Sequence, residues 1–190
     1  MENFAQLVYS LDQTTKTNKK IDLLVSFFSN ASNSDKLWCI ALFSGRRPKR
    51  LISTKYLRQW ACEETDLPTW LLEDTYSVVG DLAETISLLT QEKNQISTKS
   101  LTSWISELRQ LENKGLEEKR DFVMNAWSTL NRQERFVFNK LITGGFRLGV
   151  SQKLTIRALS KVTKIDQFEL SLRLMGNWHP DTISWSSLII

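Results

Sequence analysis

Apolar residues recur along this chain at intervals of three and four, the spacing that turns one face of an α-helix toward a core, and nowhere alternate long enough to mark a strand. Phe4, Leu7, Val8 and Leu11 form the first stripe. After a polar break from Gln13 to Thr17, Ile21, Leu24, Val25 and Phe28 form a second, which ends in the cluster Ser29 to Ser34. Leu37 to Phe43 predicts a third helix, stopped by Gly45 and the turn Arg46-Arg47-Pro48-Lys49-Arg50. Ser53 or Thr54 starts a helix carrying Tyr56, Leu57 and Trp60, and Pro68 fits the first turn of one with Trp70, Leu71 and Leu72. Gly80-Asp81 opens the next, through Leu82, Ala83, Ile86 and Leu89.

The second half repeats the pattern with clearer start signals. Ser97-Thr98-Lys99-Ser100 supplies capping hydroxyls ahead of Leu101, Trp104, Ile105 and Leu108, and a break near Gly115 precedes Phe122, Val123, Ala126 and Trp127. Asn131 with Glu134 reads as a capping box for the helix carrying Phe136, Val137, Leu141 and Ile142. Leu154, Ala158 and Val162 line another helix, and Asp166 with Glu169 caps one that runs through Phe168 and Leu172 to Gly176. The expected fold class is all-α, with roughly ten or more helices joined by short loops.

Between two of these helices lies Thr143 to Ser151 (T-G-G-F-R-L-G-V-S), which holds three of the chain's seven glycines. Gly144, Gly145 and Gly149 permit left-handed backbone or a close approach to a partner, and Arg147 offers a planar guanidinium from the middle of the loop. With Ser151 as cap of the following helix, free amides and a positive dipole end stand beside the loop, which suits a phosphate. The competing reading is a glycine-rich helix-helix turn with one solvated arginine.

With 190 residues, 41% of them hydrophobic, the chain can bury a sizeable core in one large or two small globular units. Cys39 and Cys62 lack metal or redox spacing and read as reduced thiols, and no run is apolar enough to span a bilayer, so a cytoplasmic protein is expected. The net charge is only +4, yet its distribution is segregated. Lys36, Arg46, Arg47, Lys49, Arg50, Lys55 and Arg58 fall in a stretch without an acid, as do Arg135, Lys140, Arg147, Lys153, Arg157, Lys161 and Lys164. Glu63, Glu64, Asp66, Glu73, Asp74, Asp81 and Glu84 lie between. Such blocks predict a basic face for a polyanion and an acidic face, against the alternative of charges scattered as solvated surface.

Catalytic chemistry finds little footing. The single histidine, His179, sits beside Pro180 away from any serine or cysteine pattern, and neither a Walker A sequence nor a dinucleotide fingerprint occurs. No catalytic or metal residue is assigned.

The segment Leu141 to Ser151 resembles the signature loop of the N-terminal DNA-binding domain of bacterial ATP-dependent DNA ligases, in which G-x-x-R-x-G links two helices. Val79-Gly-Asp-Leu-Ala-Glu84 is similar to a second motif of that domain, and Phe4-Ala-Gln-Leu7 and Arg173-Leu-Met-Gly-Asn-Trp178 extend the resemblance over nearly the whole chain. The resemblance implies a helical domain, residues 1–176, that grips the minor-groove phosphates of nicked duplex DNA without reading sequence, for DNA repair or replication on the bacterial nucleoid. It implies further catalytic domains, with ATP and Mg as their cofactors. No K-x-D-G motif is present, so the adenylylated lysine is assigned to those domains, and no cofactor and no membrane is expected for this chain.

The DNA contacts expected are Gly144, Gly145, Arg147, Gly149, Ser151 and Lys153 in the loop and helix start, and Gly80 and Asp81 through backbone amides, Asp81 itself serving as a helix cap. Thr98, Lys99 and Ser100 form a third group and Arg46, Arg47, Lys49 and Arg50 a fourth, both on charge and capping grounds. Residues 177–190, with Trp178 and Trp185, read either as a tail docked on the core or as the start of a linker to catalytic domains. The alternative function is a helical protein-interaction module, which accounts for segregated charge and predicts an exposed apolar patch.

Overall fold

Twelve α-helices and one short 3-10 turn account for the regular structure among the described residues, with no strand. The computed structural model describes residues 1–91, 96–146 and 148–190. In chain order the helices are α1 (Glu2–Asp12), α2 (Thr17–Asn30), α3 (Asn33–Phe43), α4 (Thr54–Thr65), α5 (Thr69–Val79), α6 (Leu82–Leu89), α7 (Leu101–Gln110), α8 (Leu116–Thr129), α9 (Arg132–Thr143), α10 (Gln152–Thr163), α11 (Gln167–Met175) and α12 (Trp185–Ile189). None of them is long and apolar enough to cross a membrane.

Local chemistry sets most starts. Ser32, Ser53, Asp81, Ser100, Asn131, Ser151, Asp166 and Ser184 each accept a bond from an amide of the turn that follows, satisfying a donor the helix itself cannot. At α9 the box is reciprocal: Asn131 accepts from the Glu134 amide at 3.0 Å and Glu134 from the Asn131 amide at 3.0 Å. The Ser32 cap begins α3 four residues before Leu37, inside the Ser/Asn cluster that reads as a break in the sequence. Asp166 caps α11, but Glu169 turns to Arg173 at 2.6 Å instead of closing a box.

The chain forms two compact units. Unit 1 comprises Met1–Ala5 and Pro48–Gly144, and unit 2 comprises Gln6–Arg47 and Gly145–Ile190. In unit 1, α6 lies along α9, with α4 and α5 against α6 and α8 against α9. Trp104, Phe122 and Phe138 pack with ring centroids 5.6–5.8 Å apart, at interplanar angles of 51–71°. Leu57, Trp60, Leu72, Ile86 and Trp127 are buried in the same unit, each contributing about 1.5–3 kcal/mol by leaving water.

Unit 2 is built on α2 against α10, with α11 touching α10 and α12, and α12 reaching α3. Val8, Leu11, Leu24, Phe28, Ile40, Leu159, Leu170 and Leu174 fill it. Residues 177–190 take part: Trp178 and Trp185 are buried, Trp185 lies 6.5 Å from the Phe28 ring, and Leu188 and Ile189 are covered.

Candidate functional site

In unit 1, α5 ends on Gly80 in the left-handed region, φ 79°, where a side chain would be strained, and the chain turns at once into α6. Asp81 caps α6 by accepting from the Glu84 amide at 3.0 Å. Its other oxygen pairs with the Lys140 ammonium on α9, and both side chains are largely covered. The amides of Asp81, Leu82 and Ala83 have no acceptor among the described residues. Lys140 therefore belongs to an ion pair and not to an open basic face.

Arg135, read in the sequence as part of the same basic block, is also withdrawn from the surface. It is buried, and its guanidinium donates to the carbonyls of Thr90 at 3.0 Å and Leu130 at 3.3 Å, the residues that end α6 and α8. Positive charge at two helix C-termini satisfies carbonyls that have no intrahelical donor. The segregation of charge is reduced further by pairs between distant segments: Arg58 with Glu73 at 3.2 Å, Arg120 with Glu63 at 3.1 Å and Lys49 with Glu112 at 2.5 Å. The Lys49 hydrogen bond holds the Glu112 carboxyl below its ordinary range, and the Gln59 amide, then Arg120, does the same for Glu63.

Arg50 donates to the Thr143 carbonyl at 2.8 Å, at the end of α9, and Gly144 closes that helix in extended backbone by donating to Lys140 at 3.1 Å. Ser100 caps α7. Lys99 meets Glu107 at 2.8 Å and lies 4.8 Å from the Trp104 ring, while Thr98 is exposed.

Unit 2 holds the other candidates. Gly145 has open space where a side chain would stand. Arg147 lies outside the described residues. Gly149 adopts φ 61°, which favours glycine, and a Cβ there would sit 2.8 Å from the Lys20 ammonium, so the end of that side chain would have to shift. Ser151 caps α10 by accepting from the Leu154 amide at 3.3 Å. From Gly149 through Lys153, five successive amides find no acceptor among the described residues. The last two belong to the first turn of a twelve-residue helix, whose dipole end favours an anion. Lys153 is exposed and unpaired among the described residues, as is Arg47. Arg46 is not a free cation: it stacks 4.3 Å from the Trp178 ring and donates to the Gly176 carbonyl at 3.0 Å.

Lys20 was not singled out from the sequence, where it stands beside Lys19 as one more charge on α2. It is buried, and its ammonium donates to the Leu148 carbonyl at 2.5 Å and the Gly149 carbonyl at 3.4 Å. No group of three or more His, Cys, Asp or Glu side chains among the described residues could hold a metal ion. The arrangement offers anion binding by backbone and cations.

A family model described as DNA ligase N terminus matches residues 1–160. That span includes Gly80-Asp81 and the whole 143–153 segment. No curated protein matches the chain.

Proposed function

The chain belongs to the family of N-terminal domains of ATP-dependent DNA ligases, and from that premise we propose that it binds duplex DNA by its minor-groove phosphates, without reading sequence. It positions nicked DNA for catalytic domains elsewhere in the parent ligase, which supply the nucleotidyl-transfer chemistry with ATP and Mg. Its place is then the nucleoid, in repair or replication.

The observation that carries this reading is the run of amides from Gly149 to Lys153 at the start of α10 that find no acceptor among the described residues, beside an exposed lysine. Such a site takes a phosphate oxygen of any nucleotide, because backbone amides and cations do not distinguish bases. Gly144, Gly145 and Arg147, the last outside the described residues, are carried as further contacts from the sequence alone. The start of α6 is the second contact, made by the amides beside Gly80, since the Asp81 carboxylate would repel a phosphate. Lys49 is tied by a solvent-exposed pair with Glu112, and Lys99 by a partly exposed pair with Glu107 and by the Trp104 ring; exposed pairs contribute little, so exchanging the Lys49 partner for a phosphate costs little.

Fluorescence anisotropy with nicked and intact duplexes across a salt series tests the reading. If about five phosphates are neutralised, log K should fall with log salt at a slope of roughly −4 to −5, equally for unrelated sequences. A flat response, or no binding at low salt, would overturn it.

One observation favours a second reading, a protein-contact surface. Phe168, Leu172 and Met175 make a continuous stripe on α11 and are 72%, 56% and 71% exposed. The stripe lies outside the matched span, and substituting it should leave DNA affinity unchanged if the two surfaces are separate.

A further inference from the structure

Lys20 and the 148–153 segment are far apart in the chain, yet the lysine side chain ends under the segment. Its ammonium is taken out of water with the Leu148 and Gly149 carbonyls as its partners among the described residues. Burying a cation on such terms is unfavourable, and an apolar side chain of the same length would fill the space without that cost.

Peptide geometry gives the charge a role. In a planar trans amide the N–H points opposite to the carbonyl it shares a bond with. With the carbonyls of Leu148 and Gly149 drawn onto the ammonium, the N–H groups of Gly149 and Val150 are turned away from it. Those two groups open the run of unmatched amides. The same ammonium occupies the space a side chain at position 149 would need.

We propose that Lys20 is a positioning residue for phosphate contact: it fixes the two peptide planes at Leu148-Gly149-Val150 and thereby presents the amides that lead into α10. This rests on the DNA-binding reading above. Lys20 acts through the turn and does not itself touch the phosphate.

The test uses the full chain carrying Lys20→Met, with Gly149→Ala as a second variant that attacks the same contact from the other side. In DNA-free protein, the 15N order parameters of Gly149 and Val150 should fall from the rigid range near 0.85 toward 0.6 or below in both variants. Thermal unfolding of Lys20→Met should be no earlier than in the unaltered protein, because an apolar replacement removes a buried charge. Duplex affinity should drop about ten-fold in each variant, the loss of one well-placed charge-assisted or backbone contact. The double variant should be no weaker than the weaker single, since both release one turn.

Three results would overturn the proposal: unchanged order parameters, unchanged affinity, or a salt slope reduced by about one, which marks a direct phosphate contact. Failure of the unaltered protein to bind duplex would sink the DNA-binding reading instead, and the order parameters would still decide whether Lys20 fixes the turn.

Discussion

Lys20 and Arg135 carry positive charge into buried positions, and in both cases backbone carbonyls receive it. Cys39 shows the opposite resolution, staying neutral: burial, and then the nearby Asp35 carboxylate, push its thiol well above the ordinary 9.0. Cys62 is only half-buried. A thiol-disulfide reagent should therefore modify one cysteine per native chain, at Cys62, and the second only when denaturant unfolds the protein. Rapid double labelling in native buffer would contradict the assignment. At this scale the sequence was a poor guide to charge. Lys140, Arg135 and Lys20 look like surface cations in the one-dimensional chain, because their partners, Asp81, Thr90 and Leu148, lie 59, 45 and 128 positions away.

Helices were far more legible, because what starts and stops them acts within one turn. Asp81, Ser100, Asn131 and Ser151 cap the helices their positions predict. What local signals do not carry is which helices pair and what polar groups lie between them. The partnership of α8 with α9 includes a buried bond from the Trp127 indole to the Asn139 side chain at 2.8 Å, and Asn139 in turn reaches the Ala83 carbonyl of α6 at 3.4 Å. Asn139→Ala leaves the indole N–H buried without an acceptor, a loss of about 1–3 kcal/mol. A lower urea midpoint at unchanged slope should report it; no shift would mean that the indole finds another partner. Helix α12 was missed for the complementary reason: at five residues it has almost no periodicity to read, and it is held by burial of Trp185, Leu188 and Ile189.

On the scale of the whole chain, the all-helical class follows from apolar spacing, whereas the division into two units does not, since no linker composition marks it. The chain passes from one unit to the other after Ala5, Arg47 and Gly144. The first passage falls inside α1, whose opening residues belong to unit 1: Phe4 and Ala5 are buried, and the Met1 amine donates to the Lys99 carbonyl at 2.7 Å. Deleting residues 1–5 should cost unit 1 roughly 3 kcal/mol, mostly through the lost phenyl ring. Faster hydrogen exchange along α6 and α9 would register it, and unaltered protection there would refute it. The two cores are thus threaded through one another in sequence like alternating stitches. A cut that excised residues 48–144 would leave that piece without its first five, and the remainder in two strands of chain. Neither unit can be expressed, inherited or degraded as an uninterrupted stretch of this polypeptide.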